Sequence, residues 1–452
     1  MNSIQTSLSG SSDASNKAGQ ALQVIANDTS LDYPKVRPQR LHTWFHLIPV
    51  EEFEKKRPQQ ILFLDTFATV VRNDADTGNP YTVLFEGVAQ MTHVLYLGLI
   101  FVWYGEDLAS PDRPFPTLYE ETFPTEYQTR DSVVFENTHI MDFVENGSDN
   151  LHFKHVHLWD YSKIYNHTVT DGTITLDQDT RIHYGRCSFN PFIRFMSYIL
   201  PELELHHDYV YHGPGIAVVG AEGKGAPESH SIVTLTPEGP DRTRVYVTIG
   251  MPATTFPQWA EKTYQTIFRR RRLCESFAGV MAGYIKNEFD VDAVIWNGRK
   301  VMHQYGLLRS EQHLQNVIDW GKTFYPSDFE MPPEPQEKPE DEKEWVLLDQ
   351  SRNIKQGKIN TYKVGKESLI AYRDSKRAVH VRDAYCPHQG AHLGVKGRIE
   401  DDCVRCPFHG FYYDEVGNCR GSNINNTNKP IEGLKLKIIS HREAAGGVEV
   451  LV

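Results

Sequence analysis

From Arg40 onward, apolar residues recur in short runs and in alternation with polar ones, the period of half-buried strands rather than of helices. The runs TWFHLIPV, ILFLDTFATVVR, YTVLFEGV and VLYLGLIFVWY, with Asp, Asn and Gly between them, predict a small β unit over residues 36–115. The eleven-residue apolar stretch from Val94 to Tyr104 predicts one buried strand; it falls well short of the roughly 20 residues of a membrane-spanning helix. Residues 116–325 mix periods, with strands predicted at SHSIVTLT and RVYVTIGMP and a long helix within Gln258 to Val301. Residues 326–344 carry five prolines and eight acidic residues and almost nothing apolar, which predicts an extended, solvated linker. Beyond it, EWVLLD, INTYKV, SLIAYR, AVHVRDAYC, CVRCPFHGFYY, LKLKIIS and GVEVLV predict a separate all-β domain over residues 345–452. Residues 1–35 keep no sustained period and predict a disordered tail, and no repeat of solenoid or propeller length is present.

Length agrees with this division, since 452 residues allow two to four domains at about 150 residues each. With 40% hydrophobic and 23% charged residues, the composition is that of a globular chain, not of a collagen-like or wholly disordered one. Lys plus Arg number 47 against 59 Asp plus Glu, and a net charge of −12 argues against binding nucleic acid by bulk charge. The basic run Arg269 to Arg272 suits either a dock for an acidic electron donor or a solvated helix face, the commoner use of such a run. The first 30 residues lack a basic start followed by an apolar core, which predicts a cytoplasmic protein. Six cysteines serve the chain and four crowd its last seventy residues, a distribution suited to a metal site rather than a disulfide framework.

Within the C-terminal β domain stand Cys386-Pro387-His388 and, after seventeen intervening residues, Cys406-Pro407-Phe408-His409-Gly410. Two thiolates and two imidazoles on two tight loops are what a [2Fe–2S] centre with two Cys on one iron and two His on the other requires. A structural zinc site could use the same residue types, although zinc modules usually set paired Cys and paired His apart. Upstream, residues 145–157 place three histidines and two acids within thirteen positions. A non-haem iron oxygenase needs two His and one carboxylate on one face of the metal, so a distant acid would have to complete such a set.

These segments resemble a known family. CPHQGAHLG and CPFHGFYYDEVGNC resemble the two cluster loops of Rieske oxygenases and ferredoxins. The resemblance implies that Cys386 and Cys406 bind one iron of the cluster and His388 and His409 the other, with both imidazoles near the surface; Cys403 and Cys419 fall outside the pattern as packing residues. Residues 145–157 resemble the E-N-x-x-D-x-x-H-x-x-x-x-H signature of Rieske oxygenase catalytic domains, which implies mononuclear Fe(II) held by His152 and His157 and leaves His155 aside. Asp292 to Trp296 resembles the D-x-x-x-W stretch of the branch acting on steroid-like substrates and so offers Asp292 as third ligand. Asp290 would point elsewhere on a helix, while Glu288 shares the face of Asp292. In the family, the equivalent of Asp149 accepts hydrogen bonds from an iron-ligand histidine and from a cluster histidine of the adjacent subunit. A cap at a helix or turn is the bland alternative for Asp149.

The expected fold class is α+β: a helix-grip-like (START-type) catalytic domain with an antiparallel sheet, plus a small all-β Rieske domain. The order of domains departs from the family, whose cluster domain usually comes first. TWFHLIPVEEF, ILFLDTFATVVRN and YLGLIFVWYGED resemble the flanking strands of an N-terminal Rieske domain, which implies a remnant without cluster loops; an unrelated β unit is the alternative. With the domain moved, the linker could deliver the cluster to its own iron or to a neighbour's. His212-Gly213-Pro214-Gly215-Ile216-Ala217 resembles a stretch of the sterol desaturase and steroid-ring hydroxylase branch and favours an apolar, ring-containing substrate.

No G-x-G-x-x-G, Walker-type, H-E-x-x-H or G-x-S-x-G pattern is present, so nicotinamide and flavin chemistry would come from a separate reductase, directly or through a ferredoxin. The resemblance implies a monooxygenase acting with O2 on a small molecule, with desaturation and aryl-amine N-oxygenation as alternatives, and a homotrimer as the assembly. A Rieske electron carrier without mononuclear iron and a colourless zinc-stabilised interaction protein are the readings of other classes.

Overall fold

The computed structural model describes residues 24–26, 37–58, 60–73, 79–118, 127–183, 202–224, 226–252, 255–268, 272–333, 338–422 and 430–452. Of the expected tail, only a three-residue strand, β1 (Val24–Ala26), falls among them; residues 269–271 of the arginine run and 334–337 of the acidic segment lie outside.

The first unit comprises β2 (Thr43–Pro49), helix α1 (Val50–Lys56), β3 (Ile61–Phe63), β4 (Thr66–Arg72), β5 (Tyr81–Phe85), β6 (Ala89–Met91), β7 (His93–Tyr96) and β8 (Leu99–Tyr104). They form two antiparallel sheets, β2-β8-β7 and β3-β4-β5-β6. The stretch Val94 to Tyr104, expected as one strand, is a hairpin: Leu97 (φ 50°) and Gly98 (φ 72°) fold back between β7 and β8. Two consecutive left-handed residues make the tight turn whose twist matches paired strands, a signal hidden in sequence because Leu97 looks like any apolar strand residue.

Next come β9 (Tyr127–Glu136), α2 (Ile140–Gly147), α3 (Asn150–His155), β10 (Tyr161–Val169), β11 (Thr173–His183), β12 (Glu202–His212), β13 (Ile216–Lys224), β14 (Ala226–Gly239) and β15 (Arg242–Met251). Helices α4 (Gln258–Ile267), α5 (Leu273–Trp296) and α6 (Gln312–Lys322) follow. The seven strands form one antiparallel sheet, β10-β11-β12-β13-β14-β15-β9, which grips α5 across β9 and β15. Small residues at four-residue spacing, Cys274, Ala278 and Ala282, are buried along α5 and let a helix lie close to its support. The first unit covers the sheet at β14: Thr236 Oγ1 donates to His46 O at 2.6 Å and Leu64 N to Pro237 O at 2.8 Å. Covered on both sides, β15 is buried along most of its length, which explains its mainly apolar text from Val245 to Met251.

The single helix expected within Gln258 to Val301 is two. The buried Glu261 on α4 accepts from Leu273 N at 3.0 Å and Cys274 N at 2.9 Å, satisfying the exposed N–H groups that start α5. A glutamate capping a later helix has no local signature.

The C-terminal unit runs through β16 (Trp345–Gln350), β17 (Asn360–Val364), β18 (Glu367–Arg373), β19 (Val379–Asp383), β20 (Arg398–Glu400), β21 (Cys403–Arg405), β22 (Phe411–Tyr413), β23 (Cys419–Ser422), β24 (His441–Ala444) and β25 (Gly447–Leu451). Its sheets are β1-β17-β18-β19, β16-β25-β24 and β20-β21-β22-β23, so β1 pairs antiparallel with β17 in the last unit. LKLKIIS, expected as a strand, makes only isolated bridges at Lys435 and Ile438. The class is α+β with an all-β C-terminal domain, as expected.

Candidate active site

The two C-terminal loops share one backbone design. Gly390 N donates to Cys386 O at 2.9 Å and Gly410 N to Cys406 O at 3.1 Å, closing a five-residue turn in each Cys-Pro-x-x-Gly segment. Both glycines have positive φ, 74° and 65°, a region that costs a side chain strain. The turns bring His388 Nδ1 and His409 Nδ1 to 3.1 Å of one another. Each ring's other nitrogen faces a carboxylate: His409 Nε2 lies 2.7 Å from Asp149 Oδ2, and His388 Nε2 lies 2.9 Å from Glu311 Oε2. A carboxylate accepts and does not donate, so both Nε2 atoms carry the protons and both Nδ1 lone pairs face each other. Such an arrangement suits a cation between them. Cys386 and Cys406 are buried and unpaired by disulfide, so two sulfurs and two imidazole nitrogens are on offer. Burial pushes the Cys386 thiol up; Cys406, though buried, is held below the ordinary thiol range by hydrogen bonds from Cys386 and from the Phe408 and His409 N–H groups.

His388 and His409 were expected near the surface, yet they are 0% and 1% exposed. They emerge from the C-terminal unit but end against α3 and the start of α6, which cover them. Gln389 Nε2 also donates to Asp149 Oδ2 at 2.8 Å, and Arg299 Nε donates to Gln389 O at 2.9 Å. His155, outside the expected ligand set, packs on the second loop, where a Cβ added to Gly410 would lie 2.9 Å from its ring.

Across Asp149 lies the second cluster of donors. His152, His157 and Asp292 are all buried, and their ligand atoms lie within 4.8 Å of one another. His152 Nδ1 is hydrogen-bonded to Asp149 O and His157 Nδ1 lies 2.5 Å from Glu288 Oε2, so each ring presents Nε2 to Asp292. Fixing the tautomer through Nδ1–H is how protein groups prepare an imidazole to bind a metal. Burial alone would lower the pKa of His157, but Asp292 and Glu288 carry it up to about 10, whereas burial takes His152 down to about 4. Asn146 Nδ2 donates to Asp292 Oδ2 at 2.8 Å, while Asp292 Oδ1 accepts no hydrogen bond. The donor set therefore fits a 2-His-1-carboxylate metal site.

Asp149 makes a cap and a bond to a cluster-loop histidine, the latter of its own chain and not of an adjacent subunit. Its Oδ1 accepts from Leu151 N at 3.1 Å as the N-cap of α3, and its Oδ2 accepts from His409. The bond to the other histidine differs from expectation, for His152 uses the Asp149 main-chain carbonyl rather than the carboxylate. Burial works against the Asp149 charge, but His409 and its hydrogen bond hold the carboxyl far below the usual range.

Sequence reading gave no role to Glu311 and Gln389. Glu311 sits at the third position of a short turn and accepts from Leu308 N at 2.6 Å, so its only local signature was that of a cap. Glu145, from the same thirteen-residue segment, holds Arg37 and Arg299, whose charges keep its carboxyl below the ordinary range despite burial. Glu288 was weighed as a ligand because it shares the face of Asp292; it holds the far side of His157 instead.

A cavity opens over this triad, walled by Phe153, Trp159, Tyr209, Phe277 and Phe289 and floored by His157 and Asp292. On α5 the lining residues Phe277, Met281, Tyr284, Glu288 and Asp292 recur at three- and four-residue spacing, one helix stripe turned into the cavity. The His212 to Ala217 segment makes the β12–β13 turn, with Gly213 at φ 63°, and it is β13 beyond it that lines the cavity through Ala217, Val219 and Ala221.

Residues 344–434 match the family described as Rieske [2Fe–2S] domain, and residues 102–325 match the 3-ketosteroid 9alpha-hydroxylase C-terminal domain. A cholesterol 7-desaturase of Drosophila melanogaster is 37% identical over 23% of this chain and 24% of its own. The oxygenase component of a 3-ketosteroid-9-alpha-monooxygenase of Mycolicibacterium smegmatis is 36% identical over 17% of this chain and 20% of its own. The chain thus aligns with about a quarter or less of the length of such relatives. Dicamba monooxygenase bound to dicamba is 15% identical, with a TM-score of 0.38 over 63% of this chain and 96% of its own.

Proposed function

We propose, from the premise that the chain belongs to the Rieske non-haem iron oxygenases, that it uses O2 and supplied electrons to hydroxylate an apolar, ring-containing small molecule of steroid-like kind. What carries this reading is the buried His152, His157 and Asp292 triad, two members of which, His157 and Asp292, floor an aromatic cavity, one residue away from a cluster-loop histidine. His152, His157 and Asp292 would hold mononuclear iron, and Cys386, Cys406, His388 and His409 the [2Fe–2S] cluster. When bound, the cluster supplies single electrons and the iron activates O2.

The chain's own residues do the rest. The walls exclude water and align a flat, apolar substrate over the triad, while Glu288 and the Asp149 carbonyl hold the imidazoles in register. Asp149 joins the two sites, taking His409 on its side chain and His152 on its main chain. Two electrons and two protons with O2 convert one C–H bond to C–OH and release one water. The electrons come from an NAD(P)H-dependent reductase, directly or through a ferredoxin. A cytoplasmic location goes with the reading, and no helix among the described residues is long and apolar enough to cross a membrane. A homotrimer is the assembly to test by sedimentation. The β unit before β9 is taken as a scaffold that has lost its cluster loops, since no cysteine precedes Cys187.

Desaturation is the second reading, favoured by the identity to a cholesterol 7-desaturase. It consumes the same O2, electrons and protons but forms a double bond and two waters. Incubation with a reductase, NADH, and a panel of sterols and 3-ketosteroids, followed by mass spectrometry, separates the readings. Gain of one oxygen supports hydroxylation, loss of two hydrogens desaturation, and NADH-driven O2 uptake without either product across the panel would overturn the substrate class.

A further inference from the structure

We propose that each chain carries its complete electron path: the cluster loops dock on the iron site of their own chain, so the acceptor is not a neighbouring subunit. This rests on the function proposed above and specifies how its two sites are coupled. The link from one site to the other is a single residue, His409 to the Asp149 side chain and the Asp149 carbonyl to His152, and all three belong to one chain.

The seat is built, not incidental. Lys300 N donates to Gly390 O at 2.9 Å and Gly306 N to Pro387 O at 3.0 Å, so main chain meets main chain across the two domains. The approach is close enough that a Cβ on Gly306 would lie 2.7 Å from Pro387 O, and one on Gly390 would lie 2.1 Å from Lys300 O. Arg299, held in the buried group of Arg37, Asp142 and Glu145, reaches over to Gln389 O. Both cluster-loop histidines end on carboxylates of the same chain, and neither retains more than 1% exposure for a second copy.

Two further features hold the last domain in place. The joining segment is pinned to the catalytic domain, with His303 Nε2 at 2.8 Å from Pro332 O. At the other end of the chain, β1 is a strand of the C-terminal sheet, while Arg37 enters the buried charge group of the catalytic domain. A neighbour's cluster loops could reach the triad only after the loops of the same chain had left Asp149 and Glu311. With the groups bound, one electron would leave the cluster held by His388, His409, Cys386 and Cys406 and reach the iron held by His152, His157 and Asp292 of the same chain, with NAD(P)H, through the reductase, as the source and O2 as the final acceptor.

The test needs neither substrate nor turnover. Dithionite-reduced, anaerobic protein is examined by EPR, where a nearby high-spin Fe(II) speeds the relaxation of the reduced cluster. Asp292→Ala, which keeps the cluster and loses the iron, sets the slow limit. Asp292→Ala and Cys406→Ser are then co-expressed with different tags and purified through both. Docking within the chain predicts that every cluster in the mixture relaxes at the slow limit. Recovery of no mixed assembly supports the same conclusion when the wild type relaxes fast and sediments as a monomer. Fast relaxation of about two-thirds of the clusters, the share that would face an iron-bearing neighbour in randomly mixed trimers carrying both tags, would overturn it. Should Cys406→Ser not fold, the wild type decides alone: fast relaxation kept at concentrations where sedimentation shows only monomer supports the proposal, and its loss on dissociation overturns it. Identical relaxation in wild type and Asp292→Ala would instead refute the two-metal reading on which the proposal stands.

Discussion

His157, itself buried, sits between two carboxylates, Glu288 at Nδ1 and Asp292 at Nε2. In metal-free protein this pairing raises its pKa to about 10, above the roughly 6.5 of an unfolded histidine. A raised folded value stabilises the fold fully below about pH 6.5 and loses that contribution as pH climbs through about 10. Melting of chelator-treated wild type should therefore fall over that window relative to His157→Gln, whose profile lacks this component; parallel profiles would deny the pairing. Glu288→Gln leaves the three metal ligands in place but weakens the hold on His157, and iron affinity should drop about 10–100-fold, read by iron retention under chelator challenge. Asp149→Asn should leave the cluster spectrum intact and slow its O2-dependent reoxidation about 10–100-fold, since the bonds from His409 and Gln389 to the side chain are altered while the main-chain carbonyl still holds His152. Residues of this kind divide by legibility. Spacing marked the two Cys-His pairs of the C-terminal loops, because chemistry demands those types close together in sequence, whereas resemblance to a family signature picked His152 and His157 from three neighbouring histidines. Glu311 and Gln389 act on atoms that arrive from far along the chain, and no local pattern marks them.

At the scale of elements, α5 does two jobs with two faces: small residues against the sheet, and a stripe from Phe277 to Asp292 over the cavity. That division was readable in part, since Asp292 and Glu288 fall on one face of any helix, but which would touch metal depends on where α3 places His157. The hairpin at Leu97 and the break between α4 and α5 escaped prediction for a similar reason. One is set by backbone φ at an apolar residue and the other by the reach of Glu261 over twelve positions. The docking seat is also an element-scale feature. Gly306→Ala pushes a methyl group toward Pro387 O and should weaken the seating by about 1–3 kcal/mol. The expected result is faster protease cleavage between the two domains, with the iron content of the catalytic domain unchanged; unchanged cleavage would mean that the loops are held elsewhere.

For the molecule as a whole, the order of units and the presence of two metal-binding constellations were legible in sequence, because hydrophobic period and ligand spacing are local. Their relation was not. The linker composition alone allowed the cluster to meet either its own iron or another chain's, and only the fold joins His409 to Asp149 in one chain. The acidic segment also looked solvated throughout, whereas His303 binds Pro332 within it. The central claim is that one chain binds both a cluster and a separate iron, and metal and inorganic sulfide content with reduced-state EPR tests it most directly. For anaerobically purified wild type the account predicts about three irons and two sulfides per chain, falling to about two irons with an unchanged Rieske spectrum in Asp292→Ala. Two irons in both proteins, or zinc without sulfide, would contradict it.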